Sequence, residues 1–123
     1  GHDGSMSTIH ANSARDALLR LENLMLTCRE NFHPLSVRRQ VTSSLDLIVH
    51  MSRQSDGQRH ITEVCDVFGI EDETVVTQSI FRWERSGDED VDGHYSAFSA
   101  RLRFEEKIKT LGRFDELRRV LNS

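Results

Sequence analysis

The sequence predicts a mixed α/β fold in which two helices come first, an antiparallel strand meander follows, and helices end the chain. Three observations carry this prediction: helical spacing of apolar residues near the start, a change of period at Asp46, and a return to helical spacing after Phe104. A complete doubly wound domain would alternate strand and helix from its beginning. The order of elements therefore predicts the back half of such a domain.

The first helix is predicted to begin after Ser13 and to end near Cys28. Ser13 and Asp16 are spaced as a variant of the capping box. Asp16 and Arg20 have the spacing of an i,i+4 ion pair. The apolar positions recur on one face of this helix, at Ala14, Ala17, Leu18, Leu21, Met25 and Cys28.

Pro34 suits the first turn of a second helix, because the amide that proline lacks would have no helical partner there. Val37 and Val41 would lie on the apolar face of that helix. The period then changes, and Asp46–Arg53 is typical of a strand. Its nearly continuous apolar start predicts that this first strand is well buried.

Two further strands extend the meander. The hairpin signal Asp56-Gly57 precedes the second strand, in which Ile61, Cys65 and Val67 are predicted to share one face. The later elements are, in chain order, the second strand at Arg59–Phe68, a turn at Gly69–Glu73, a third strand at Thr74–Glu84, an acidic loop at Ser86–Gly93, an extended segment at His94–Leu102, and two short helices at Phe104–Leu111 and Phe114–Leu121 separated by Gly112.

Composition limits the classes of function. The chain has 123 residues, of which 37% are hydrophobic and 29% charged, as expected for a folded domain. Its net charge of −4 argues against direct binding of nucleic acid, which needs a basic face. Cys28 and Cys65 lack metal or redox spacing, so buried free thiols in a reducing compartment are predicted. No apolar run approaches the roughly 20 residues that span a membrane.

Several catalytic signatures are absent. The chain has neither a G-x-x-x-x-G-K-[ST] phosphate loop nor a G-x-G-x-x-G fingerprint, and none of its six histidines has metal-ligand spacing. Asp88, Asp90, Asp92 and Gly93 match the start of a calcium-binding loop, but the twelfth position is Ser99 instead of glutamate. A solvated acidic loop is therefore the favoured interpretation, and no metal ligands are predicted.

The stretch Gly4–Ser13 has two interpretations. Ser7 and Thr8 supply hydroxyl groups and His10 supplies an imidazole, just before a helix whose N-terminal dipole favours an anion. A phosphate could be sensed there. From the residues alone, however, a simple helix cap is the favoured interpretation, since Ser, Thr and Asn commonly precede helices.

The opening GHDGSMSTIHANSARDALLRLE resembles the histidine box of the bacterial and archaeal secretion ATPases. These are the hexameric motors of type II and type IV secretion, pilus assembly and DNA conjugation. The likeness runs to about Glu84 and is closest to the branch that serves tight-adherence (Flp-type) pili. The matching motifs follow in the family's order: G-S-x-S-T-x-H-A-N-S at Gly4–Ser13, R-L-E at Arg20–Glu22, R-x-Q-V at Arg38–Val41, D-L-I-V at Asp46–Val49, S-R at Ser52–Arg53, D-G-x-R at Asp56–Arg59 and I-T-E-V at Ile61–Val64.

The resemblance implies that residues 1–123 are the C-terminal half of a RecA-like motor domain, with the histidine box at 4–13 and the Walker A and Walker B segments outside this chain. His10 would face the γ-phosphate of ATP and promote or report hydrolysis, and Ser7 and Thr8 would shape its loop. Arg53 and Arg59 would reach phosphate across a subunit interface. For these two arginines an ordinary salt bridge or a solvated face remains an equal alternative.

The resemblance also implies partners and a location. The intact ATPase would bind ATP and Mg²⁺, form a hexamer, and work in the cytoplasm, peripheral to the inner membrane, on the secretion platform proteins there. This segment alone would bind neither cofactor, would be catalytically inert, and would form dimers through exposed apolar surface. The alternative function is a stand-alone, non-catalytic protein-interaction module with the same fold.

Overall fold

The computed structural model of the chain describes residues 4–28, 31–87, 92–98 and 101–122. The described elements are α1 at Ala14–Cys28, α2 at Pro34–Ser44, β1 at Leu47–Arg53, β2 at Arg59–Glu71, β3 at Thr74–Arg85, β4 at Gly93–Ala97, α3 at Glu105–Thr110 and α4 at Phe114–Leu121. This order confirms the predicted mixed α/β class, with helices on both sides of a strand meander in the sequence.

Helix α1 begins with the predicted capping residues. Ser13 Oγ accepts a hydrogen bond from the Asp16 backbone N–H at 3.0 Å, and Asp16 Oδ2 accepts one from the Asn12 N–H at 2.9 Å. The predicted ion pair between Asp16 and Arg20 does not occur among the described residues, because this carboxylate is turned back toward the loop. Cys28 is exposed at the last residue of the helix, so the prediction of a buried thiol is wrong there.

Helix α2 packs on α1 and forms the centre of the core. It begins at the predicted Pro34, and the ring nitrogen Nδ1 of His33 accepts a hydrogen bond from the Leu35 N–H at 3.3 Å. The core residues are Leu18, Val37 and Val41, against which Leu21, Met25, Leu26, Leu45, Ile48 and Val75 pack. Beside the core, Arg38 forms an ion pair with Glu22 at 2.8 Å, which ties the two helices together.

The four strands form one antiparallel sheet in the order β1-β2-β3-β4, which confirms the meander. The second turn differs from the prediction. Strand β2 continues through Gly69 to Glu71, and the turn consists of Asp72 and Glu73, whose φ angles are +45° and +64°. Two consecutive left-handed residues are typical of a type I′ hairpin turn. The turn lies within the predicted Gly69–Glu73 but is shorter, because Gly69, Ile70 and Glu71 pair with β3.

Strand β1 is exposed on one face, so the prediction that it is well buried is wrong. Ile48 packs against the helix core, but Val49 on the opposite face is 53% exposed, and Leu47 and Met51 are exposed as well. A continuous apolar run predicts burial on both faces. In the described part of the chain only one of these faces is covered by the core of α1 and α2.

A bulge in β2 also changes the predicted face of Ile61. His50 pairs with Glu63, while the next residue, Met51, pairs with Ile61, so β2 holds one extra residue there. Consecutive strand residues point to opposite faces, and the extra residue therefore moves Ile61 to the face opposite Glu63. Cys65 is buried as predicted, whereas Ile61 is exposed.

The C-terminal helices are short and are separated at Gly112, as predicted, where φ is +70°. The cations of Lys109 and Arg118 lie over the Phe114 ring at 4.9 and 5.2 Å from its centroid. No described helix is both long and apolar enough to cross a membrane. The predicted acidic loop is closed by a hydrogen bond from the Ser86 N–H to the Asp92 carbonyl at 2.9 Å, while its residues 88–91, like Ser99, lie outside the described residues.

Candidate functional site

The segment with the predicted sensor residues, 4–13, is irregular and leads directly into α1. The capping bonds of Ser13 and Asp16 fix its last residues, and Ala14, only 2% exposed, anchors the start of the helix against the protein. His10 lies four residues before Ala14. The backbone is therefore held just after the imidazole by local hydrogen bonds.

The side chains of Ser7, Thr8 and His10 are all exposed. Hydroxyl and imidazole groups can each donate a hydrogen bond to a phosphate oxygen. They stand ahead of the helix terminus whose unpaired N–H groups favour negative charge. One of the nearby backbone N–H groups, that of Asn12, already donates a hydrogen bond to the Asp16 carboxylate. Most hydrogen bonds from the loop to a phosphate would therefore have to come from its side chains.

Arg53 and Arg59 face each other at the end of the β1–β2 hairpin. They are register partners and both are exposed. The Nε of Arg53 donates to the Gly57 carbonyl at 2.8 Å, which holds this guanidinium over the turn. Like charges directly opposite each other destabilise an antiparallel pair. A phosphate between the two guanidinium groups would remove that repulsion.

The turn beneath these arginines is well ordered by its own side chains. Asp56 Oδ1 accepts from the Gln58 N–H at 2.8 Å, and its other oxygen lies 3.1 Å from His60 Nε2. The Gly57 N–H donates to the Gln54 carbonyl at 2.9 Å. Sequence reasoning located this turn correctly from Asp56-Gly57, and the structure adds that the turn presents the two arginines together.

The predicted site residues lie in two groups. Arg53 and Arg59 share the hairpin, whereas Ser7, Thr8 and His10 share the loop before α1. The turn bonds of Arg53 and Asp56 stay within the hairpin, and the capping bonds of Ser13 and Asp16 stay within the loop and the first turn of α1. This separation is compatible with arginines that act on a neighbouring copy, and also with a solvated hairpin.

Aromatic residues next to the hairpin were not singled out by the sequence. The rings of Trp83 and Tyr95 pack edge to face with centroids 4.9 Å apart, and His60 lies 6.5 Å from Trp83. The Tyr95 hydroxyl donates to the Ile61 carbonyl at 2.8 Å. A Cβ atom at Gly93 would lie 2.8 Å from the Trp83 ring, so only glycine fits beneath it. These contacts stiffen the sheet end that carries Arg53 and Arg59.

A polar cluster lies further along β2. Burial opposes the charge of Glu63, but hydrogen bonds from Ser79 and Arg82 outweigh it and lower the pKa of this carboxyl. Burial and the neighbouring Glu63 raise the pKa of the Cys65 thiol to about 11. Only a thiolate is a good nucleophile. Cys65 is therefore an inert structural thiol, in agreement with the sequence prediction for this residue.

A surface pocket of about 550 Å³ is lined by none of the predicted site residues. It lies between α2 and the turn that joins β2 to β3. Its lining residues are Leu35, Arg39, Thr42, Ser43, Ile70, Asp72, Glu73 and Arg103. Its mixture of charges does not point to a single ligand. In the part of the chain that the structure describes, no three carboxylate, imidazole or thiol groups come close enough to hold a metal ion.

Comparison with known proteins gives two findings. Residues 1–111 match the family model for type II/IV secretion system proteins. The chain is also similar to the conjugal transfer protein TrbB of Rhizobium radiobacter, with 35% identity over 69 residues. That alignment covers 56% of this chain and 20% of the relative, so the chain spans about a fifth of the length of the curated relative it matches.

Proposed function

Because this chain belongs to the type II/IV secretion system protein family, we propose that it is the C-terminal part of the motor domain of a hexameric secretion ATPase. That longer protein is called the parent ATPase below. It couples ATP hydrolysis to protein export or to pilus assembly. The observation that carries the proposal is the family match over residues 1–111, which includes both the loop 4–13 and the β1–β2 hairpin.

The donors in this chain fit one side of a bound nucleotide. His10, Ser7 and Thr8 offer exposed hydrogen-bond donors for the terminal phosphate of ATP. The described residues offer no carboxylate set for Mg²⁺. In the proposed arrangement Mg²⁺ and the phosphate-binding loop come from the RecA-like half that lies outside this segment. The bound metal would polarise the phosphate, while His10 would donate its ring N–H to a γ-phosphate oxygen and Ser7 and Thr8 would hold the loop.

The proposed assembly and location follow from the same family membership. The parent ATPase forms a hexamer in the cytoplasm, peripheral to the inner membrane, and works on the platform proteins there without binding nucleic acid directly. The exposed Leu47, Val49 and Met51 of β1 support the further proposal that the isolated 123-residue chain self-associates. In the parent ATPase these apolar side chains would be covered by the remainder of the domain.

ATP turnover of the parent ATPase and of the isolated chain tests this proposal. We expect Mg²⁺-dependent hydrolysis by the parent ATPase and no measurable hydrolysis by residues 1–123, because phosphate positioning and metal coordination supply most of phosphoryl-transfer catalysis. Hydrolysis by the isolated chain would contradict the proposal that Mg²⁺ and the phosphates are bound by the part of the motor domain outside residues 1–123. A parent protein that binds no nucleotide would contradict the ATPase assignment.

Arg53→Ala and Arg59→Ala test the role of the hairpin. Each substitution in the parent ATPase is expected to lower turnover by about 10- to 150-fold, which corresponds to the loss of one hydrogen bond to a charged group. If the arginines act across an interface, mixing Arg53→Ala subunits with His10→Ala subunits should restore part of the activity. A mixed hexamer would contain interfaces in which an intact arginine meets an intact His10 loop.

The control for this experiment is Arg85→Ala, which removes an exposed arginine that pairs with Gly93 at the same end of the sheet. We expect this variant to retain full turnover. Full activity of the Arg53 and Arg59 variants would identify a solvated hairpin. Loss of activity without recovery on mixing would place the arginines in their own subunit's site.

A stand-alone interaction module is the second candidate function. The exposed apolar face of β1, formed by Leu47, Val49 and Met51, favours it, since such a face is typical of a protein–protein contact. The protein sequence upstream of residue 1 separates the two candidates. A phosphate-binding loop in the same reading frame supports the ATPase, and an unrelated upstream domain supports the module.

A further inference from the structure

Asp66 is a carboxyl group in the interior of the sheet, with 0% of its surface exposed. Its Oδ2 accepts a hydrogen bond from the backbone N–H of Arg103 at 2.8 Å. Its Oδ1 has no hydrogen-bond partner in the described part of the chain. Burying a charged carboxylate oxygen without a hydrogen-bond partner destabilises the folded state. This free-energy penalty is smaller when the carboxyl group is protonated and therefore neutral.

Within the described ranges, the residue across from Asp66 also has a buried oxygen without a hydrogen-bond partner. Gln78 on β3 is the register partner of Asp66, and antiparallel partners share one face with Cβ atoms about 4.5–5.5 Å apart. Gln78 Oε1 is also buried and also has no partner among the described residues. If the two side chains turn toward each other, one proton on the carboxyl group satisfies both oxygens, because a protonated carboxyl group donates a hydrogen bond.

The charged groups around Asp66 come from two elements. Asp46, just before β1, adds a like charge, and Arg103, just before α3, adds an opposite one. The two are themselves linked, since Arg103 Nη2 lies 3.5 Å from Asp46 Oδ1, and Lys107 of α3 reaches the other oxygen of Asp46 at 3.4 Å. Arg103 also donates to the Thr42 carbonyl. The Arg103 guanidinium therefore interacts with Asp46 and Thr42 as well, and its charge is not available to Asp66 only.

We propose that Asp66 keeps its proton to higher pH in the folded chain than in the unfolded chain, that this proton is donated from Oδ1 to Gln78 Oε1, and that the pair acts as a pH-sensitive lock between the sheet and the segment that leads into α3. The lock joins three elements through one side chain: β2 carries the carboxyl group, β3 accepts its proton, and Arg103 donates its backbone N–H to the second oxygen. This role is independent of the nucleotide chemistry proposed above.

The direction of the pH effect follows from the burial of the carboxyl group. Burial raises the pKa of Asp66 above its ordinary value of 3.8, and the bond from Arg103 opposes this only in part. The stabilisation by the protonated form is complete below that ordinary value and is lost as pH rises through the pKa of the folded state. An ionised Asp66 is more stable in water than in the protein interior. We therefore expect its ionisation to favour a conformation in which the segment around Arg103 moves away and exposes the carboxylate.

A carboxyl-carbon NMR titration of Asp66 tests the shared proton directly. We expect Gln78→Met to move the titration midpoint of Asp66 to lower pH, because the acceptor that stabilises the protonated form is lost. The opposite arrangement, in which Gln78 turns its amide N–H toward an ionised Asp66, predicts a midpoint at higher pH. A higher or an unchanged midpoint would overturn the proposal.

Asp66→Asn provides a second, independent test. Asparagine keeps an acceptor for the Arg103 N–H and supplies a permanent N–H donor for Gln78. In urea unfolding across pH, the wild type should lose stability as pH rises through the Asp66 midpoint, and Asp66→Asn should not show this loss. Asp46→Asn is the matched control and should retain it. A loss that persists in Asp66→Asn would assign the pH dependence to another group and overturn the lock.

Discussion

His10→Ala in the parent ATPase is expected to lower ATP turnover by about 100-fold or more, while the affinity for nucleotide changes little. Positioned proton donors and acceptors contribute about 10²–10⁴-fold to catalysis. The His10 side chain is exposed on a loop that is held by the capping bonds of Ser13 and Asp16. Its removal should therefore delete a hydrogen bond to phosphate without disturbing α1. Steady-state turnover and binding of a fluorescent nucleotide analogue would measure the two effects.

The matched control is His94→Ala. His94 is another exposed histidine, on β4, and lies 3.7 Å from Glu84. We expect this variant to keep its turnover. If His10→Ala also keeps its turnover, the stretch Gly4–Ser13 is reduced to a helix cap, and the family membership would no longer locate the hydrolysis step in this loop. If nucleotide affinity falls together with turnover, His10 contributes to binding instead of to hydrolysis.

Leu18→Ala is expected to destabilise the isolated chain by about 2–5 kcal/mol, the usual cost of a leucine-to-alanine cavity in a core. Leu18 is 6% exposed and packs with Val37 and Val41 where α1 meets α2. Small domains are stable by only about 5–15 kcal/mol, so this change would remove a large part of the total. Urea unfolding followed by circular dichroism, at several protein concentrations to account for self-association, would measure the loss.

Leu19→Ala is the control for this prediction, since the adjacent leucine is 52% exposed. It should cost less than about 1 kcal/mol, because surface substitutions away from special features have small effects. Equal losses from the two substitutions would contradict the assigned helix face. They would indicate that the exposed side of α1 is covered in solution, for example by a second copy of the chain.

The helix starts and the first hairpin could be predicted because their signals are local. Ser13 and Asp16 cap α1 within four residues, Pro34 begins α2, and Asp56-Gly57 forms a turn whose hydrogen bonds span only a few positions. In each case the residues that decide the conformation are neighbours in the chain. The loop with His10 was found in the same way, and its chemical role came from the family resemblance.

Features that depend on distant residues were predicted poorly. The continuous apolar residues of β1 indicate burial, but whether both faces are covered depends on what packs there, and only the face of Ile48 meets the helix core. The extra residue of β2 near Ile61 is set by the pairing with β1, which alternation within one strand does not reveal. Asp66 stands in an alternating strand between Cys65 and Val67, and an acid flanked by two apolar residues was the available signal.

The sequence by itself therefore determined the class and order of elements, the Ser13 cap of α1, the start of α2 at Pro34, the hairpin at Asp56-Gly57 and the loop with His10. Only the tertiary structure decided that Arg53 and Arg59 face each other, that among the described residues the register partners Asp66 and Gln78 each hold an unpartnered buried oxygen, and that Arg103 reaches across to both α2 and Asp46. The physical reason is the range of the interactions. Capping and turn formation act over a few residues, whereas strand pairing and long side chains join groups far apart in the chain, such as Arg103 and Thr42, which are 61 positions apart.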